Sequence, residues 1–216
     1  MLPRYSKFGP VVLIAALILA GCGSAPPKPK ASTVGAVQQT APTGPVPERA
    51  LAEFQQALGL MSAGNYPQAQ VALTKLAGEY PHYAGPHANL GIIYMRLERL
   101  EEAEKALQEA VRRNPASAAA QNQLGILHRK QGRFAEAEAA YKRAIAADPN
   151  YAIAHLNQGV LYDLYLQKPS EALASYERFQ ALQPQTPTEI DQPVDKWIKE
   201  LRLRIARDPQ TAKVSE

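Results

Sequence analysis

The stretch AGPHANLGIIYMRLERLEEAEKALQEAVRRNP, residues 84–115, decides how the chain is read. Its skeleton is Asn89-Leu90-Gly91, then Tyr94, Ala103, Leu107, Ala110 and Pro115. Thirty-four residues later the pattern returns as Gln123-Leu124-Gly125, His128, Ala137, Tyr141, Ala144 and Pro149. Upstream stands a weaker copy with Ala57, Leu60, Ala69, Leu73, Leu76 and Pro81. Downstream come Gly159, Tyr162, Ala172, Tyr176, Phe179 and Pro184, with one extra residue near Pro169. Within each copy, apolar residues recur at helical spacing on two segments, split by turns such as Ala63-Gly64-Asn65 and Gln131-Gly132-Arg133. Each terminal proline lacks an N–H and drives the preceding residue out of the helical region, so it closes the second segment. One such hairpin cannot bury its apolar face alone, and its neighbours must stack on it.

A helix-turn-helix of this length with this skeleton resembles the tetratricopeptide repeat. The resemblance covers residues 48–184 and implies an all-α, right-handed solenoid of about four repeats, 48–81, 82–115, 116–149 and 150–184. The periodicity predicts helices over 48–62, 67–79, 84–97, 100–113, 117–131, 134–147, 151–166 and 169–182. Gly91, Gly125 and Gly159 fall mid-helix, where glycine costs about 1 kcal/mol against alanine. Close approach of the second helix accounts for that cost, with Ala103, Ala137 and Ala172 as the matching small residues. A further helix over about 194–206 carries the apolar stripe Val194, Trp197, Ile198, Leu201 and Ile205. Within the segment 185–207 it reads as a cap on the last repeat, with partner docking as the alternative. Residues 208–216 read as a flexible tail.

The first 21 residues read as a targeting segment, outside the fold. Arg4 and Lys7 precede the nine-residue apolar run Val11–Leu19, too short for a bilayer, which needs about 20 residues. The junction Leu19-Ala20-Gly21-Cys22 holds the chain's one cysteine and resembles the bacterial lipobox. That resemblance implies cleavage before Cys22 and lipidation of its thiol and new N-terminus. With Gly23 and Ser24 following, the sorting rule of such lipoproteins implies the outer membrane, facing the periplasm. A single cysteine leaves no disulfide framework. Residues 22–47, with six prolines among small polar residues, read as a disordered tether. Such a tether spans about 25–30 Å as a coil and about 75–80 Å as extended polyproline II.

The formal charge of +4 arises from Arg4, Lys7, Lys28 and Lys30, since residues 48–216 carry twenty basic and twenty acidic side chains. The repeats thus have no excess of positive charge for a nucleic-acid partner. No phosphate loop, nucleophile elbow or metalloprotease helix motif occurs. His87 and His155 hold equivalent places two repeats apart, too far to share a metal. The chemistry therefore reads as binding, with no enzyme activity, cofactor or small-molecule substrate and no metal site, apart from the covalent lipid on Cys22.

One polar column stands out. Gln55, Asn89, Gln123 and Asn157 are each 34 residues apart on the four first helices. The resemblance places that position on the concave groove. A carboxamide matches the donor and acceptor of a peptide unit, so the column suits an extended partner chain. Arg96, Arg129 and Lys130 lie two turns further on as candidate anionic anchors or as solvated surface. The whole reads as an envelope-anchored adaptor binding protein segments. Lipoproteins of this kind serve in type IV pilus or secretin assembly; adaptors for cell-wall enzymes and self-associating structural lipoproteins are the alternatives.

Overall fold

The computed structural model describes residues 46–183 and 191–207, all within one compact unit spanning Gln38–Glu216. The expected signal segment, Cys22, nearly all of the expected tether, Pro184 and the expected tail over 208–216 lie outside the described residues. Among the described residues there are nine helices and no strand: α1 Glu48–Ser62, α2 Tyr66–Glu79, α3 Ala84–Arg96, α4 Leu100–Arg113, α5 Ala118–Lys130, α6 Phe134–Ala147, α7 Ala152–Leu164, α8 Pro169–Leu182 and α9 Asp191–Arg207. Helices pair as α1/α2, α3/α4, α5/α6 and α7/α8, and each second helix packs on the next first helix. This is the all-α repeat solenoid that the spacing predicts. No described helix is long and apolar enough to cross a membrane.

Local chemistry fixes the ends. Asn65 and Ser117 accept from backbone N–H groups three residues on, capping α2 and α5. The turn inside each repeat needs one left-handed residue, and the position recurs at Gly64, Glu98, Gly132 and Gln167. Glycine takes that conformation freely; Glu98 and Gln167 hold it at a cost. α7 stops at Leu164, in register with Ser62, Arg96 and Lys130 and two residues short of the expected 166, and the extra residue of the fourth repeat falls in the turn that follows. At the other end α9 starts three residues before the expected 194, because Pro193 suits a first turn.

The mid-helix glycines meet large side chains, which corrects the expectation that Ala103, Ala137 and Ala172 face them. A Cβ at Gly91 would lie 2.5 Å from Leu107 Cγ; one at Gly125, 2.4 Å from the Tyr141 ring; one at Gly159, 2.5 Å from the Tyr176 ring. Each glycine thus admits a bulky residue of the second helix, one turn beyond the alanine. The alanines are themselves fully buried in the core.

A second column ties neighbouring repeats together. Gln70, Glu104 and Glu138 each follow the buried alanine of α2, α4 and α6. Each meets the cation that precedes the next second helix: Arg99 to Gln70 at 3.5 Å, Arg133 to Glu104 at 2.7 Å, Lys168 to Glu138 at 3.9 Å. In the fourth repeat the place is taken by Leu173, which packs against the cluster containing Val194, Ile198 and Leu201 of α9. Those three side chains are buried, while Trp197 is half-buried with its ring 5.4 Å from that of Tyr176. The polar ladder ends where the apolar closing helix begins.

Candidate functional site

First helices α3, α5 and α7 pack side by side. Positions separated by four, seven and eleven residues share a helix face. On α3 that face reads Gly85, Asn89, Ile92 and Arg96; on α5, Ala119, Gln123, Ile126 and Lys130; on α7, Ile153, Asn157, Val160 and Leu164. The matching face of α1 reads Leu51, Gln55, Leu58 and Ser62. It lies roughly 130° around the helix from the glycine that meets the second helix. Leu51, Ile153 and Leu164 are exposed on it, and the 58, 92, 126 and 160 side chains are half-buried.

The carboxamide column is therefore paired with an aliphatic one, Leu58, Ile92, Ile126 and Val160, three residues further along each helix. Sequence reasoning looked for hydrogen-bonding groups and missed it, although its 34-residue spacing is as regular. Together the columns form a strip that offers apolar contact and amide hydrogen bonds side by side. That combination suits a protein segment with an apolar face and an accessible backbone.

The four amides of the column are not equivalent. Asn89 Nδ2 donates to the Gly85 carbonyl at 2.9 Å, within its own helix. Asn157 Nδ2 donates to Asn122 Oδ1 at 3.0 Å, across the boundary between repeats. Asn122 is fully buried and its own Nδ2 has no partner. It occupies a place held by Phe54, Ala88 and Leu156 in the other repeats. Gln55 is exposed and Gln123 half-buried. The two asparagines thus have pinned donors and leave oxygens as acceptors, whereas Gln55 and Gln123 remain adaptable.

The cations Arg96, Arg129 and Lys130 are held by three different neighbours. Arg96 lies 5.5 Å from the Tyr66 ring, Arg129 lies 5.7 Å from the Tyr165 ring, and Lys130 pairs with Glu98 at 2.8 Å. Each spends part of its charge on the turn of its own or an adjacent repeat. His128 takes the place of Tyr94 and Tyr162; it is buried, and burial pushes its pKa down, which favours a neutral ring. His155 Nε2 lies 3.1 Å from the Pro149 carbonyl. Among the described residues no three His, Cys, Asp or Glu side chains converge as a metal site.

Known proteins share this fold. The family model for the tetratricopeptide repeat matches residues 54–118 and, overlapping, 88–152. A search of curated protein sequences gives no match. Among solved structures, the chain is similar to the pilF protein of Pseudomonas aeruginosa, with TM-score 0.65 and 23% identity over 77% of this chain and 73% of that one. It is similar to a thermophilic tetratricopeptide protein of Thermus thermophilus, with TM-score 0.59 and 21% identity over 75% of this chain and 86% of that one. It also resembles the first tetratricopeptide domain of Spaghetti (RPAP3) bound to an HSP90 peptide, with TM-score 0.51 and 21% identity over 57% of this chain and 93% of that one.

Proposed function

We propose that this chain, which carries an all-α tetratricopeptide-repeat solenoid, is a lipid-anchored adaptor of the bacterial envelope that holds segments of partner proteins. The observation that carries the binding reading is the strip of paired amide and aliphatic columns on four successive first helices. Its support from outside is that the Spaghetti domain was solved with a peptide bound. The anchor rests on the lipobox-like Leu19-Ala20-Gly21-Cys22 and on the short apolar run before it. The outer membrane, periplasm-facing, is the location that this junction favours. Assembly of type IV pili or secretins is the pathway we assign, and the likeness of fold to the Pseudomonas aeruginosa pilF protein accords with it. Self-association through the solenoid's C-terminal end is disfavoured, because Leu173 and α9 occupy the surface on which a further repeat would stack.

Two experiments test this reading. Replacing Gln55 and Gln123 together by Ala leaves melting unchanged within about 0.5 kcal/mol, since neither position is deeply buried. Affinity for a partner recovered from envelope extracts falls by about 0.5–1.5 kcal/mol for each neutral hydrogen bond lost. Equal affinity of wild type and variant in calorimetric titration would remove this strip as the binding surface. Asn157→Ala is the wrong choice for that purpose. It strips the buried Asn122 oxygen of its donor, at a cost of about 1–3 kcal/mol to the fold itself.

The anchor is tested separately. Cys22→Ala releases the protein from the membrane fraction and abolishes its acylation. One acyl chain holds marginally and several hold firmly, at about 0.8 kcal/mol for each buried methylene. A variant that stays membrane-bound through a high-salt wash would show that something other than the lipid retains it.

A further inference from the structure

A cavity of about 670 Å³ opens between α7, α8 and α9, at the end of the strip where Val160 lies. Val160, Tyr176 and Trp197 line it, and the charged side chains on it are Asp163, Glu200 and Arg204. Two carboxylates and one guanidinium thus face the cavity, and the exposed Lys196 reaches Glu200 from outside the wall at 3.9 Å. That guanidinium is already engaged: Arg204 Nη2 donates to Asp163 Oδ1 at 2.5 Å. The Asp163 side chain is 14% exposed, whereas that of Arg204 is 53% exposed. The carboxylate is thus built into the wall, and its cation reaches in from solvent on a flexible stem. The half-buried Trp197, backed by the fully buried Tyr176 ring, adds aromatic surface, which favours a cation carried on an apolar body.

We propose that this cavity receives an arginine side chain from a partner segment, which takes Asp163 in place of Arg204. The proposal is independent of whether the amide and aliphatic strip binds. The argument is charge complementarity at Asp163: the wall offers a mostly buried carboxylate beside the half-buried Trp197 ring, with Glu200, loosely paired to Lys196, at its rim. The chain's own guanidinium shows that this head group fits Asp163. Guanidinium suits the site better than ammonium, because it is weakly hydrated and stacks on aromatic faces. Only the Arg204 side of the pair is exposed, so this guanidinium can leave to solvent while another takes the carboxylate. Arg204 then acts as an internal competitor, lowering the apparent affinity by the fraction of time it occupies the carboxylate.

The chain has one tryptophan, Trp197, so its fluorescence reports on this cavity alone. The probe is N-acetyl-arginine amide, titrated into the purified full-length protein, with N-acetyl-leucine amide as control. The arginine amide gives a saturable change and the leucine amide gives none. Arg204→Ala tightens the arginine response by about fivefold, because the competitor is gone. Asp163→Asn weakens it by roughly tenfold, through loss of the charge-assisted bond. Glu200→Gln gives a smaller loss and serves as the second variant, since its exposed side chain is not needed for folding. The proposal is overturned by an equal response to both amides, by no saturation, by an arginine response that Arg204→Ala fails to tighten, or by one that neither Asp163→Asn nor Glu200→Gln changes.

Discussion

Ending the chain before Asp191 should lower the melting temperature sharply and cause aggregation. The deletion removes Val194, Ile198 and Leu201, which are buried against Tyr176 and Phe179 of α8. Burial of each such side chain is worth about 1.5–3 kcal/mol, so roughly 5–9 kcal/mol of apolar contact is lost as an upper estimate. That is comparable with the whole stability of an ordinary domain, about 5–15 kcal/mol. Because each repeat contacts only its neighbours, the fourth repeat should melt first and the first two last. Hydrogen exchange along the chain would show that gradient. Unchanged melting, solubility and exchange would mean that α9 contributes no cap and serves some other role.

Gly125→Ala should destabilise by up to about 2 kcal/mol, whereas Gly59→Ala should stabilise by about 0.5–1 kcal/mol. The substitution is the same and both sites lie within first helices. At Gly125 the new methyl meets the Tyr141 ring at 2.4 Å, and that ring is fully buried with no room to turn aside. Overpacking of about 1–3 kcal/mol then outweighs the gain of about 1 kcal/mol in helix propensity. At Gly59 nothing lies within 4 Å, so only the propensity gain remains. Gly91→Ala should fall between them, because Leu107 is more compliant than an aromatic ring. The first repeat already carries Ala57 at that register, with Leu73 where Leu107 stands. Urea titration of the three variants measures the order. If Gly125→Ala is as stable as wild type, close approach is not what the glycine provides.

The repeat was legible because its signals are local and recur. A proline, a glycine and a buried alanine at fixed spacing are read directly, and the predicted helices fall within two residues of those observed, except at the start of α9. What could not be read depends on how two helices sit against one another. The partner of Gly125 is Tyr141 and not Ala137, because helix crossing sets which turn of α6 comes nearest. The bond from Asn157 to Asn122 joins different registers of adjacent repeats, so a search along one column misses it. The aliphatic strip at 58, 92, 126 and 160 was readable at the same 34-residue spacing as the amides. It went unread because half-buried Ile and Val look like core until a neighbouring helix shows which side is covered.

The ladder of Gln70, Glu104 and Glu138, closed by Leu173, gives this solenoid a direction of growth. A repeat duplicated inside the array brings its own base for the repeat behind and its own acid for the repeat ahead, so both new junctions are of a kind already present. A repeat appended after α8 meets a leucine where its turn cation needs a carboxylate, and it must first evict α9. Copy number can therefore change by internal duplication while both ends are inherited intact. The length of the binding strip can evolve without the chain having to invent a new way to stop.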